Sequence, residues 1–184
     1  MEMLWTKDLK TNTVHVRDVA KALWFLTNNG NNGQIFNLCD ENDTGEWAAL
    51  ALLGVRIAVL TWLFVIDQGK MNEMLEQIYG IKTGFVGQIM SSIAAKMSLK
   101  NIAEVANDKH LKPWSDMTKE AGIQDTPLTP YLDEELLKDH STALDGSAIT
   151  KLGFKYDYPK PTVDLLKEVI KDFEAKGYFP KNIV

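Results

Sequence analysis

Thr13-Val14-His15-Val16-Arg17-Asp18-Val19-Ala20 is the stretch on which the fold turns. Thr13 to Val16 alternate as a half-buried strand does, and Asp18 is a good helix N-cap. Val19, Ala22, Leu23 and Leu26 then recur at helical spacing. Asn28-Asn29-Gly30 supplies the residues that tolerate positive φ, so the helix should stop there. Gln34-Ile35-Phe36-Asn37-Leu38-Cys39 follows as a buried strand. Strand, helix and strand in immediate succession predict an α/β layer fold.

Further along, helices dominate. Met71, Met74, Leu75 and Ile78 form an amphipathic stripe that Gly80 should end. Val86–His110 is mostly helical in pattern, and Pro113 should break it. Ser115 can cap a short helix through Ala121. Thr129-Pro130 opens another through Leu137, with Pro at the favoured first position. Asp145–Leu152 reads as a short helix closed by Gly153. Thr162 should cap the last helix, whose stripe of Leu166, Val169, Ile170 and Phe173 runs up to Gly177. Glu134 and Glu135 are neighbours in a helical stretch, so their side chains point apart and make no acid/base pair.

Composition narrows the function classes. The 184 residues can bury a sizeable core, and a net charge of −5 with scattered Lys and Arg argues against nucleic-acid binding. Cys39 is the only cysteine, which excludes an intrachain disulfide and suits a reducing, cytoplasmic setting. It closes an apolar run, where a thiol is usually inert packing. His15, His110 and His140 lack metal-ligand spacing, so no metal site is expected. Met1–Lys10 has neither the basic start nor the apolar core of a signal peptide.

Residues 13–20 resemble the hydrophobic-His-Val-x-Asp-Val-Ala signature of the extended short-chain dehydrogenase/reductases, the NAD-dependent epimerase/dehydratase family. Gly33-Gln34-Ile35-Phe36-Asn37-Leu38 is similar to the strand that follows in that family. Leu144-Asp145-Gly146-Ser147-Ala148 through Lys151-Leu152-Gly153-Phe154 is similar to its element before the terminal helix, although Ala148 stands where a Lys would be. The resemblance implies the C-terminal half only of such an enzyme. That half would hold the C-terminal part of a Rossmann-type doubly wound fold and a mostly helical substrate-binding region.

The family's cofactor half carries a GxxGxxG loop, whose amides meet the pyrophosphate of NAD or NADP, and a Tyr-x-x-x-Lys pair that moves the proton. Neither occurs here. Gly80, Gly84 and Gly87 are spaced one residue too long. Tyr156 and Lys160 have the right separation, but Pro159 lies between them in a loop. No catalytic or cofactor-binding residue is therefore assigned. The parent enzyme would bind NAD or NADP, while this chain alone would not. Lys10, Thr11 and Asn12 lead into the signature strand and are the candidate substrate-binding residues. Thr11 stands where sugar-nucleotide epimerases place an Arg, which leaves the small-molecule substrate open. His15 and Asp18 are expected to fix the strand–helix turn.

Trp47–Ile66 is foreign to this scheme. Eleven of its twenty residues are Leu, Ile, Val or Phe, and Arg56 is its one charge. Each of those eleven contributes about −0.3 to −0.6 kcal/mol to insertion and Arg56 costs about 2.5 to 3.5, so hydropathy predicts a membrane span. A span there would place the two flanking parts on opposite faces of a membrane, where they could not pack. A retained intron accounts for the run differently: Gly45-Glu46-Trp47 can be encoded GGT GAG TGG, which contains a 5′ splice site. The expected organisation is therefore 1–44 as the last strand–helix–strand part of the Rossmann-type domain, 45–67 as a foreign insert and 68–184 as the helical substrate-binding region. The leading expectation is an inactive fragment of an NAD(P)-dependent epimerase, dehydratase or reductase. Its rivals are a non-enzymatic binding or regulatory module and a membrane-anchored protein.

Overall fold

The computed structural model describes residues 2–40, 67–139 and 144–181. Its elements run β1 (Glu2–Met3), α1 (Val16–Asn29), α2 (Gln68–Tyr79), β2 (Gly84–Phe85), α3 (Gln88–Glu120), a 3-10 turn (Glu134–Leu137), α4 (Ser147–Lys151) and α5 (Val163–Ala175). The chain divides into two compact units. One holds Met1–Lys7, Asn72–His140 and Thr162–Val184, and the other Asp8–Met71 and Ser141–Pro161.

Among the described residues, sheet structure is confined to one parallel pair of two-residue strands, Glu2 opposite Gly84 and Met3 opposite Phe85. This overturns the Rossmann-type doubly wound fold, and with it the short-chain dehydrogenase/reductase family and the oxidoreductase fragment. The likeness over residues 13–20 is local. Thr13 and Val14 are irregular, and Val16 already belongs to α1. The N-cap is His15, whose Nδ1 accepts from the Arg17 amide at 3.3 Å, which leaves Asp18 to point inward. Residues 34–39 belong to no regular element and form no ladder. A parallel sheet needs a neighbouring strand to take its hydrogen bonds, and among the described residues that neighbour is missing.

Helix signals fare better because they are local. α1 ends at Asn29, α2 ends before Gly80 (φ 65°), and α5 starts at Thr162, whose hydroxyl accepts from the Leu165 amide at 3.2 Å. Beyond α2, the Thr83 amide and hydroxyl both donate to Glu76 Oε1, at 2.5 and 2.7 Å, tying the turn back and holding the Glu76 carboxyl below its usual range. α3 departs from expectation in two ways. Pro113 lies inside it, and Ser115 is interior rather than a cap. The break falls at Ser98, which is extended (φ 162°, ψ 106°) and whose Oγ accepts from the Asn101 amide at 3.3 Å. Ser98 therefore caps the second of two helical segments. In place of a helix from Thr129 there is only the 3-10 turn, capped by Asp133. Asn107 on α3 fastens the approach to it, donating to the Leu132 carbonyl at 2.9 Å and accepting from the Leu132 amide at 2.7 Å.

Among the described residues no helix is long and apolar enough to cross a membrane, so the membrane-anchored alternative has no support there. Trp47–Ile66, on which both that alternative and the retained intron depend, lies outside the described residues.

Candidate interaction edge

The unit holding α1 and α4 has a small core of Ala22, Ile149 and Phe154, against which Phe25, Leu26, Phe36, Leu38 and Tyr156 pack. Phe154 meets Phe25 and Tyr156 edge-on, at centroid distances of 5.4 and 5.0 Å. Asp18 and Ala22 on α1 turn inward one helical turn apart. The buried Asp18 carboxylate accepts from the Asp157 amide at 2.8 Å and the Tyr158 amide at 2.9 Å. Around it, His15 stacks on Tyr158 at 4.0 Å, Arg17 donates to the Tyr158 hydroxyl at 2.9 Å, and Lys21 donates to the Lys155 carbonyl at 2.8 Å and to Asp157. His15 and Asp18 thus anchor a loop, and their chemistry is used up in doing so.

Cys39 is buried against Gly146, where a Cβ would lie 2.4 Å from its sulfur. Only glycine permits that approach. Asp40 donates its amide to the Thr13 carbonyl at 2.9 Å and receives the Thr13 hydroxyl on its carboxylate. Tyr156 is half-buried, and that burial, reinforced by the nearby Cys39 thiol, pushes its phenol up to about 12. A tyrosine acting as general acid/base near neutrality needs the opposite shift.

Lys10, Thr11 and Asn12 are all half-buried in this unit. Lys10 forms an antiparallel bridge with Asp67, and Asn12 Oδ1 accepts from the Leu144 amide at 3.2 Å. They follow one another along a connecting segment, where the Gln68 amide donates to the Leu9 carbonyl at 2.9 Å and the Asn12 side chain holds the Leu144 amide. Among the described residues no group of three His, Cys, Asp or Glu could hold a metal ion.

The feature that stands apart is residues 34–39. They belong to no regular element, and over 35–38 burial alternates, with Phe36 and Leu38 against the core, while Ile35 is 87% exposed and Asn37 faces out. The segment thus keeps the two-residue periodicity of a strand. Yet among the described residues no backbone hydrogen bond is made by Ile35, Phe36, Asn37 or Leu38. Nearby in sequence, α1 adds a second apolar surface: Val16, Leu23 and Trp24 are exposed, Trp24 by 77%. They fall at i, i+7 and i+8, one stripe on the side away from Asp18 and Ala22. Leu23, expected on one stripe with Val19, Ala22 and Leu26, is instead exposed, and the four consecutive apolar residues Leu23-Trp24-Phe25-Leu26 are the sequence signal for this second face. The segment's exposed side was not visible, because three of its four central residues are apolar. No family model, no curated protein and no solved structure matches this chain.

Proposed function

We propose that this chain is a non-enzymatic binding module that receives an extended segment of a partner protein by strand addition along residues 35–38. The observation that carries it is a strand-like segment, alternating in and out, whose backbone donors and acceptors have no partner among the described residues. Such an edge is a template for another strand, because pairing satisfies main-chain groups that are costly to leave half-buried and unbonded. Gln34 to Cys39 carries no charge, so the matching partner is an uncharged strand with apolar residues at alternate positions that can lie beside Ile35. The exposed stripe of α1 offers further apolar surface in the same unit. The module works without NAD or NADP, since nothing in strand addition calls on either. Its single cysteine suits the cytoplasm.

Amide hydrogen exchange tests this with a capped eight-residue peptide of alternating Val and Thr, flanked by lysines. Alternate amides among Ile35–Leu38 should exchange freely in the chain alone and become protected when the peptide is added. The same peptide with a central Pro, which lacks a donor, should protect them far less. Unchanged exchange at saturating peptide, or protection already present without it, rules strand addition out.

A further inference from the structure

Asn28-Asn29-Gly30 and Asn31-Asn32-Gly33 repeat the same tripeptide where α1 gives way to the segment 34–39. An Asn followed by Gly carries a reaction of its own, because no side chain on the glycine keeps its amide nitrogen away from the asparagine Cγ. Asn29 and Asn32 have identical neighbours in sequence and both are exposed, so neither feature separates them. Their hydrogen bonds do.

Asn29 is the last residue of α1, and its Nδ2 donates to the Phe25 carbonyl at 2.8 Å, which turns the carboxamide back along the helix. The Gly30 amide donates to the Leu26 carbonyl at 2.8 Å, so the nitrogen that would attack is engaged as well. Asn32 and Gly33 are the central pair of a turn closed by a single bond, from the Gln34 amide to the Asn31 carbonyl at 3.1 Å. All four turn residues are exposed. Among the described residues the Gly33 amide donates to nothing and the Asn32 side chain makes no hydrogen bond. Gly33, at φ 80°, faces open space. The peptide joining the two can therefore turn without breaking a bond.

We propose that Asn32 is a site of spontaneous deamidation and that the fold protects Asn29 from the same reaction. The Gly33 amide nitrogen, its proton taken by hydroxide, bonds to Asn32 Cγ while the Cγ–Nδ2 bond breaks and ammonia leaves. Water then opens the cyclic imide, at Cγ to leave aspartate or at the main-chain carbonyl to leave isoaspartate. One water is consumed, one ammonia is released, and no oxidant is needed. Either product places a carboxylate within Ala22–Cys39, a run without charge, two residues before Gln34.

The test incubates the full chain in heavy-oxygen water at mildly alkaline pH and locates the incorporated label by fragment-ion mass spectrometry. In the folded chain Asn32 should take up label about tenfold faster than Asn29 or more, since two hydrogen bonds must open before Asn29 can react. In urea, where only the shared tripeptide remains, the two rates should converge. Asn32→Gln, whose longer side chain closes the ring poorly, should remove the fast uptake. No uptake at Asn32, equal rates in the folded chain, or faster uptake at Asn29 would overturn the proposal. So would a difference that persists in urea, or fast uptake that survives in Asn32→Gln.

Discussion

Asp18 is completely buried, yet both of its oxygens face backbone amides, those of Asp157 and Tyr158. Lys21, almost one turn further along α1, donates to the Lys155 carbonyl and Asp157 instead. The carboxylate is thus compensated by peptide dipoles, as in a capping interaction made across the fold. Removing it strands two amides that the loop cannot easily turn to water. Asp18→Ala should therefore lower the unfolding free energy by roughly 2–4 kcal/mol, and Asp18→Asn by less, since one acceptor remains. Urea unfolding followed by tryptophan fluorescence measures both. A change in Asp18→Ala below about 0.5 kcal/mol, the range of an inert surface position, would mean the loop is held by its other contacts.

α3 shows where an element can defy a strong local signal. Pro113 has no amide to give the Lys109 carbonyl, and its ring crowds the preceding turn, yet the helix continues to Glu120. Thr118, whose hydroxyl bonds the Trp114 and Ser115 carbonyls, shows the later turns intact. Replacing Pro113 with Ala should therefore raise stability by about 1–3 kcal/mol, with helical circular dichroism kept or increased. A loss of stability would show instead that the proline ring packs usefully. The same element explains what was legible in the sequence. Caps and stripes lie within a few residues, so Thr162, Gly177, Gly80 and Asn29 marked their helix ends. Ser98 passed unnoticed because the residues on both sides of it are good helix formers. Strands are different, since alternation in 34–39 states only which residues share a face. Whether a neighbouring strand exists is decided elsewhere in the chain, and Ile35 and Phe36 are equally apolar candidates for the inside.

At the scale of the whole molecule, the described residues leave several apolar side chains uncovered. The buried hydrophobics described are Trp5, Ala22, Cys39, Ile78, Ala103, Ile149 and Phe154, several of them small, while Val16, Leu23, Trp24 and Ile35 are exposed within one unit. Covering these exposed side chains with a partner adds stability, since each 100 Å² of apolar surface covered contributes about 2.5 kcal/mol. Ligand binding to the native state must then appear as added stability. With the alternating Val/Thr peptide at about one hundred times its Kd, the expected gain is about 2.7 kcal/mol, or roughly 5–10 °C in melting temperature for a chain of this size. The edge carries no charge between Gln34 and Cys39, so the gain should change little with added salt. Ile35→Asp isolates the cause. Because Ile35 is exposed, the variant alone should melt within a degree or two of the parent, yet it should lose most of the peptide's effect. An equal shift in Ile35→Asp would place the peptide elsewhere, and no shift in the parent would remove the edge as a binding surface.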